Sequence, residues 1–88
     1  MLVRNIRGFQ DRRVPNNTKS WLDFYNRNVS SVTEITCCRC GHPAEVGAHV
    51  LKMEGAKEWF LAPLCKECYE KEVSFNVDAK TLVRVYMM

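Results

Sequence analysis

CCRCGHPAEVGAHVLKMEGAKEWFLAPLCKEC, residues 37–68, is the stretch on which the fold turns. A C-x-x-C pair stands at each end, Cys37 with Cys40 and Cys65 with Cys68. That spacing lets two thiolates from one tight turn point at one tetrahedral ion, and two such pairs supply the closed four-sulfur shell of structural zinc. A single pair would fit a redox dithiol equally well. The second pair is what argues for a shared metal. The expected ligands are Cys37, Cys40, Cys65 and Cys68, in a shell with no open position and hence no Lewis-acid chemistry.

Size makes such an ion useful. Eighty-eight residues, 47% of them hydrophobic, make one small globular domain near the lower limit at which an apolar core suffices alone. Zinc binding to small finger peptides is worth about 10–16 kcal/mol, more than such a core usually nets, so fold and ion are expected to be inseparable. The expected organisation is a single zinc-binding domain over 1–88. It has an N-terminal extension with a short helix (1–36), a metal-bound core (37–75) and a C-terminal strand (76–88).

No apolar run approaches the roughly 18 residues that span a bilayer. The opening MLVRNIRGFQDRRV carries Arg4, Arg7, Arg12 and Arg13 and lacks the apolar centre of a signal peptide. Five cysteines are an odd number for an exported disulfide framework, so reduced thiols and a cytoplasmic location are expected. The formal charge is +3, unevenly spread: residues 1–30 hold six basic and two acidic side chains, residues 31–88 seven basic and eight acidic. Four thiolates around a divalent ion subtract two more charges. Only the N-terminal third offers a basic surface, and Arg4, Arg7, Arg12 and Arg13 are the candidate phosphate contacts. A solvated basic segment is the plainer reading of the same four residues.

Working outward from the cysteines, Cys37-Cys38-Arg39-Cys40-Gly41 fits a zinc knuckle whose glycine permits a positive φ. Ala44–Met53 and Trp59–Ala62 read as the strands of a hairpin around Glu54-Gly55-Ala56-Lys57. Val46, Ala48 and Val50 fall on one face, His49 and Leu51 on the other. Pro63-Leu64-Cys65 leads into a helix over Lys66–Phe75, with Tyr69 and Val73 continuing an apolar stripe and Lys66, Glu67, Glu70 and Lys71 facing water. Upstream, Ser20 caps a short aromatic helix (Trp21, Leu22, Phe24, Tyr25) ending near 26–28, whose rings read as core rather than as a base-stacking platform. Val29–Thr36 is β-prone, residues 1–19 show no period, and Thr81–Met87 reads as a final strand. Knuckle, hairpin and helix in that order give an α+β fold of treble-clef type.

At Ala48-His49-Val50 and Phe60-Leu61-Ala62-Pro63-Leu64-Cys65-Lys66-Glu67-Cys68 the chain resembles the HNH endonuclease family, over about residues 37–73. The resemblance implies a ββα-metal site on a treble clef, with His49 matching the general base that activates water. It also implies a metal ligand where this chain has Ala48, an orienting asparagine where it has Phe60, and a second ligand where it has Tyr69. Neither alanine nor phenylalanine can hold an ion, and Glu72 alone does not replace them. His49 is a catalytic candidate only for a residual nuclease, and is otherwise a histidine packed between hairpin and helix or bonded near the metal shell. Ser20-Trp21-Leu22-Asp23, Gly47-Ala48-His49-Val50 and Trp59 through Cys68 are also similar to small bacterial and phage-type zinc proteins, a likeness that implies a fold and no activity.

Two further side chains compete for the metal. Cys38 lies between two ligands, but Cys38 with Cys40 is a poorer bite, which leaves Cys38 a free thiol. His42 is an alternative ligand, or else an exposed knuckle side chain. The reading is therefore a non-catalytic zinc-binding module for molecular interaction, with nucleic acid or protein as partner. The alternatives are an HNH-type nuclease, and a scaffolding module that does not touch nucleic acid.

Overall fold

The computed structural model describes residues 1–8, 13–14, 18–29 and 34–85. Its centre is the expected hairpin. Strand β2 (Val46–Lys52) pairs antiparallel with β3 (Trp59–Leu64), from Val46 opposite Leu64 to Leu51 opposite Trp59. Gly55 supplies the turn at φ 71°. Gly47–Val50 and Leu61–Leu64 are buried without a break, so both faces of the hairpin are covered. The return strand runs two residues beyond the expected Ala62, through Pro63. That proline sits past the reach of the next strand, and its carbonyl accepts from Cys38 N–H at 2.9 Å, so its missing N–H costs the sheet nothing.

The hairpin lies in a five-stranded antiparallel sheet of order β4-β1-β2-β3-β5, with β1 at Leu2–Asn5, β4 at Ser74–Asn76 and β5 at Val83–Val85. Strand β1 was not foreseen. It lies between β2 and β4, with Val3 opposite both Lys52 and Phe75. Buried Val3 and Asn5 flank exposed Arg4, an alternation too short to stand out in sequence.

Helix α1 (Trp21–Asn28) covers one face. Ser20 Oγ accepts from Asp23 N–H at 3.0 Å, the expected cap, and the Asp23 carboxylate accepts from Lys19 N–H at 2.9 Å, one residue ahead of the cap. Trp21 and Tyr25, one turn apart, are buried against Leu61 and Val85 and belong to the core. The Tyr25 hydroxyl donates to the Thr81 carbonyl, fixing the approach to β5.

Helix α2 (Lys66–Lys71) covers the opposite face and is four residues shorter than expected. The chain leaves the helix at Glu72 (φ −79°, ψ 124°), and Ser74–Asn76 becomes β4. Asn5 is the reason: its Nδ2 donates to the carbonyls of Tyr69 (2.9 Å) and Glu72 (3.2 Å), and its backbone N–H donates to Val73 O at 2.8 Å. Carbonyls at the end of α2 thus find partners on β1. Val73 is 59% exposed and does not extend an apolar stripe, whereas Phe75 is buried. Of the β-prone 29–36 stretch, 30–33 lie outside the described residues, and Thr36 forms only an isolated bridge with Pro43. The final strand is shorter than 81–87: a 3-10 turn at Ala79–Thr81 precedes it, and 86–88 lie outside the described residues.

Candidate metal centre

Cys37 and Cys40 come from the turn ahead of β2. Gly41 takes φ 82° and donates to Cys37 O at 2.9 Å, while Cys37 N–H donates to His42 O at 2.6 Å. The bond from Cys38 N–H to Pro63 O pins this turn to the end of β3. Cys65 follows β3 directly and caps α2: its Sγ accepts from Cys68 N–H at 3.4 Å. Cys68 lies in the first turn of that helix. The hairpin thereby brings the two pairs together, and all four sulfurs lie within 4.8 Å of one another.

The separations fit an ion. A tetrahedron with metal–sulfur bonds of about 2.3 Å has edges of about 3.8 Å. Cys40 and Cys65 Sγ stand at 3.5 Å, and no pair would need to close by more than about 1 Å to complete the shell. Backbone donors are in place for anionic sulfur, with Arg39 N–H on Cys37 Sγ at 3.4 Å and Cys68 N–H on Cys65 Sγ. Burial opposes ionisation of Cys37, but the amides of Cys65, Arg39 and Cys40 outweigh it and bring its thiol down to about 7. Desolvation and hydrogen bonds to its neighbours' sulfurs push Cys68 up, and Cys40 is raised as well. Cys37 ionises readily while Cys40 and Cys68 resist, a charge pattern that a divalent cation would relieve.

The cluster is lopsided. Cys37 is 2% exposed and Cys65 7%, both in the core, whereas Cys40 is exposed. Arg39 closes one flank: its Nε donates to Glu72 Oε1 at 2.9 Å and its guanidinium lies 5.3 Å over the Phe75 ring. Knuckle, end of α2 and β4 are thus tied by Arg39, a residue with no role in the knuckle motif itself. No local pattern links Arg39 to Glu72, so only the fold could have paired them.

Cys38 stays outside the four. It is half-buried, and desolvation first, then the charge of Cys37, push its thiol up to about 11, as befits a neutral spare cysteine. His42 is exposed and also outside the four, with Nδ1 at 3.2 Å from Cys40 Sγ.

His49 is fully buried on the α1 face, its ring edge-on to Trp21 at 4.5 Å between centroids. Ala48, Phe60 and Tyr69 pack on the other face with Cys37 and Cys65. The sheet therefore separates the imidazole from the cysteine cluster and from α2. Glu72 is committed to Arg39. Arg4, Arg7 and Arg13 are exposed and make no ion pair among the described residues, where Arg27, Arg39, Lys52, Lys71 and Arg84 each do; Arg12 lies outside the described residues. No helix among the described residues is long and apolar enough to cross a membrane. No protein-family model, curated protein or solved structure matches this chain.

Proposed function

We propose that this chain is a structural-zinc module of treble-clef type, similar in outline to HNH endonucleases but without their chemistry, and that it serves in molecular interaction. The convergence of the Cys37, Cys40, Cys65 and Cys68 sulfurs carries the reading. Knuckle, hairpin and short helix follow in treble-clef order, and a thiolate set of this kind selects zinc among common divalent ions. Bound there, the ion would cross-link the knuckle to α2 and neutralise the thiolates. A nuclease would need the His49 imidazole beside a metal on α2 and open to water. Its complete burial on the other side of the sheet supports the non-catalytic reading.

Nucleic acid is the first partner class. Arg4, Arg7 and Arg13 supply cationic groups that no carboxylate among the described residues neutralises, which suits phosphate contact. Exposed Val73, Met53 and Met1 support a second reading, a protein-docking module. Zinc-loaded protein incubated with labelled single- and double-stranded DNA and RNA, with and without magnesium, separates the classes. Retention that weakens steeply with salt and is lost in the Arg4→Ala/Arg7→Ala/Arg13→Ala variant selects nucleic acid. Absence of retention selects protein docking. Magnesium-dependent cleavage lost in His49→Gln, with the fold intact, would sink the non-catalytic reading.

A further inference from the structure

The metal centre has one replaceable corner. Cys37 and Cys65 are buried in the core, and Cys68 is held by the first turn of α2. Cys40 alone of the four is exposed. Beside it stands a second donor of the right chemistry: His42 Nδ1 lies 3.2 Å from Cys40 Sγ. His42 is exposed too, and it also lines an open groove that reaches Cys65. Adjacent corners of a four-sulfur tetrahedron are about 3.8 Å apart, so Nδ1 already stands about one ligand spacing from the Cys40 corner. His42 is exposed on the same turn, so its imidazole has the rotational freedom that such a shift would need. Resting on the zinc reading above, we propose that His42 is a reserve ligand, which takes the fourth position when Cys40 is lost to alkylation and converts a four-sulfur site into a three-sulfur, one-nitrogen site.

The chemistry balances without a redox partner where the agent is an alkylating electrophile. The Cys40 sulfur would form a carbon–sulfur bond with the electron pair otherwise available to the metal, and the electrophile's leaving group (iodide, for iodoacetamide) would depart with the pair of its bond to carbon. The resulting thioether is a poor ligand for zinc, and the neutral imidazole supplies a new pair through Nδ1. The shell changes from four anionic ligands to three, so the metal centre becomes one unit more positive while the fold keeps its ion. Until then, an Nδ1–H directed at the Cys40 sulfur would hold the imidazole in place, and on ligation that proton would pass through solvent to Nε2, freeing the Nδ1 pair.

Cobalt(II) binding to the full chain tests this, because its visible and near-ultraviolet bands report both tetrahedral geometry and sulfur count. Wild type and His42→Ala are expected to show a four-sulfur spectrum. Cys40→Ala is expected to stay tetrahedral and folded, with about three-quarters of the sulfur charge-transfer intensity. Adding His42→Ala to Cys40→Ala should weaken cobalt binding by at least about tenfold. Iodoacetamide-treated wild type, confirmed by mass spectrometry to be modified at Cys40, should retain zinc, and the same treatment of His42→Ala should release it. If Cys40→Ala binds cobalt no better than Cys40→Ala/His42→Ala, or fails to fold with excess metal, the reserve-ligand assignment is wrong. If wild type takes no tetrahedral cobalt, the zinc reading fails with it, so the two failures are told apart by the first sample.

Discussion

Gly47 sits where the backbone of α1 rests on β2. A Cβ built there would lie 2.6 Å from Trp21 C and 2.7 Å from Leu22 N, atoms that cannot turn aside as a side chain can. Gly47→Ala is therefore expected to lift α1 off the sheet and to destabilise the metal-loaded protein by about 1–3 kcal/mol, as forced overpacking does. Urea unfolding followed by tryptophan fluorescence would read it directly through Trp21. Cys38 gives the opposite forecast. It neighbours Cys37 in sequence but stands outside the sulfur cluster. Cys38→Ser should bind zinc with the same one-to-one stoichiometry as wild type, whereas Cys37→Ser should not, as competition against a chromogenic chelator would show.

At the scale of elements, α2 is too short to persist by itself, since isolated helices below about 12–15 residues are marginal in water. Its start is capped by Cys65 and its end by Asn5 from β1. Asn5 is 6% exposed, and removing its amide leaves two carbonyls without that donor. Asn5→Ala should cost about 1–3 kcal/mol and speed amide hydrogen exchange in β1 and in residues 69–73, with smaller effects on α1. Arg39 joins the same corner through Glu72, but both partners are partly exposed (36% and 30%), so Glu72→Gln should cost only about 0–1 kcal/mol. A loss several-fold larger would mean that the Arg39–Phe75 contact depends on the ion pair.

For the molecule as a whole, the sheet carries two small cores. One holds Cys37 and Cys65 with Val3, Ala48, Val50 and Leu64, the other Trp21, Tyr25, Leu61 and Val85. A metal ion would tie only the first directly. Chelation of a loaded protein is thus expected to unfold the α2 side and, because β2 and β3 serve both faces, to take α1 with it. One cooperative transition should result, with a midpoint that rises with free zinc. Calorimetry at several zinc concentrations would check this. Two separated transitions would show that the α1 face folds without the ion.

The sequence by itself determined the features whose causes are local. The C-x-x-C spacing fixes which sulfurs leave each turn together, Gly41 and Gly55 stand at left-handed turn positions, and Ser20 with Asp23 starts α1. Alternation along 44–53 predicts the first strand of the hairpin. Other features depend on contacts between residues far apart in the chain. Leu2–Asn5 is a strand because β2 and β4 flank it, and α2 stops at Lys71 because Asn5 is there to receive its carbonyls. Val73 lost its place on a helix for the same reason. His49 shows the limit most clearly. The resemblance to HNH endonucleases matches it to a general base beside a metal, a role that Ala48, Phe60 and Tyr69 already disfavour, and strand parity places Ala48 on the cysteine side and His49 under Trp21. One residue's shift along a strand moves a side chain through the sheet, and only packing on both faces decided which side holds the cysteine cluster.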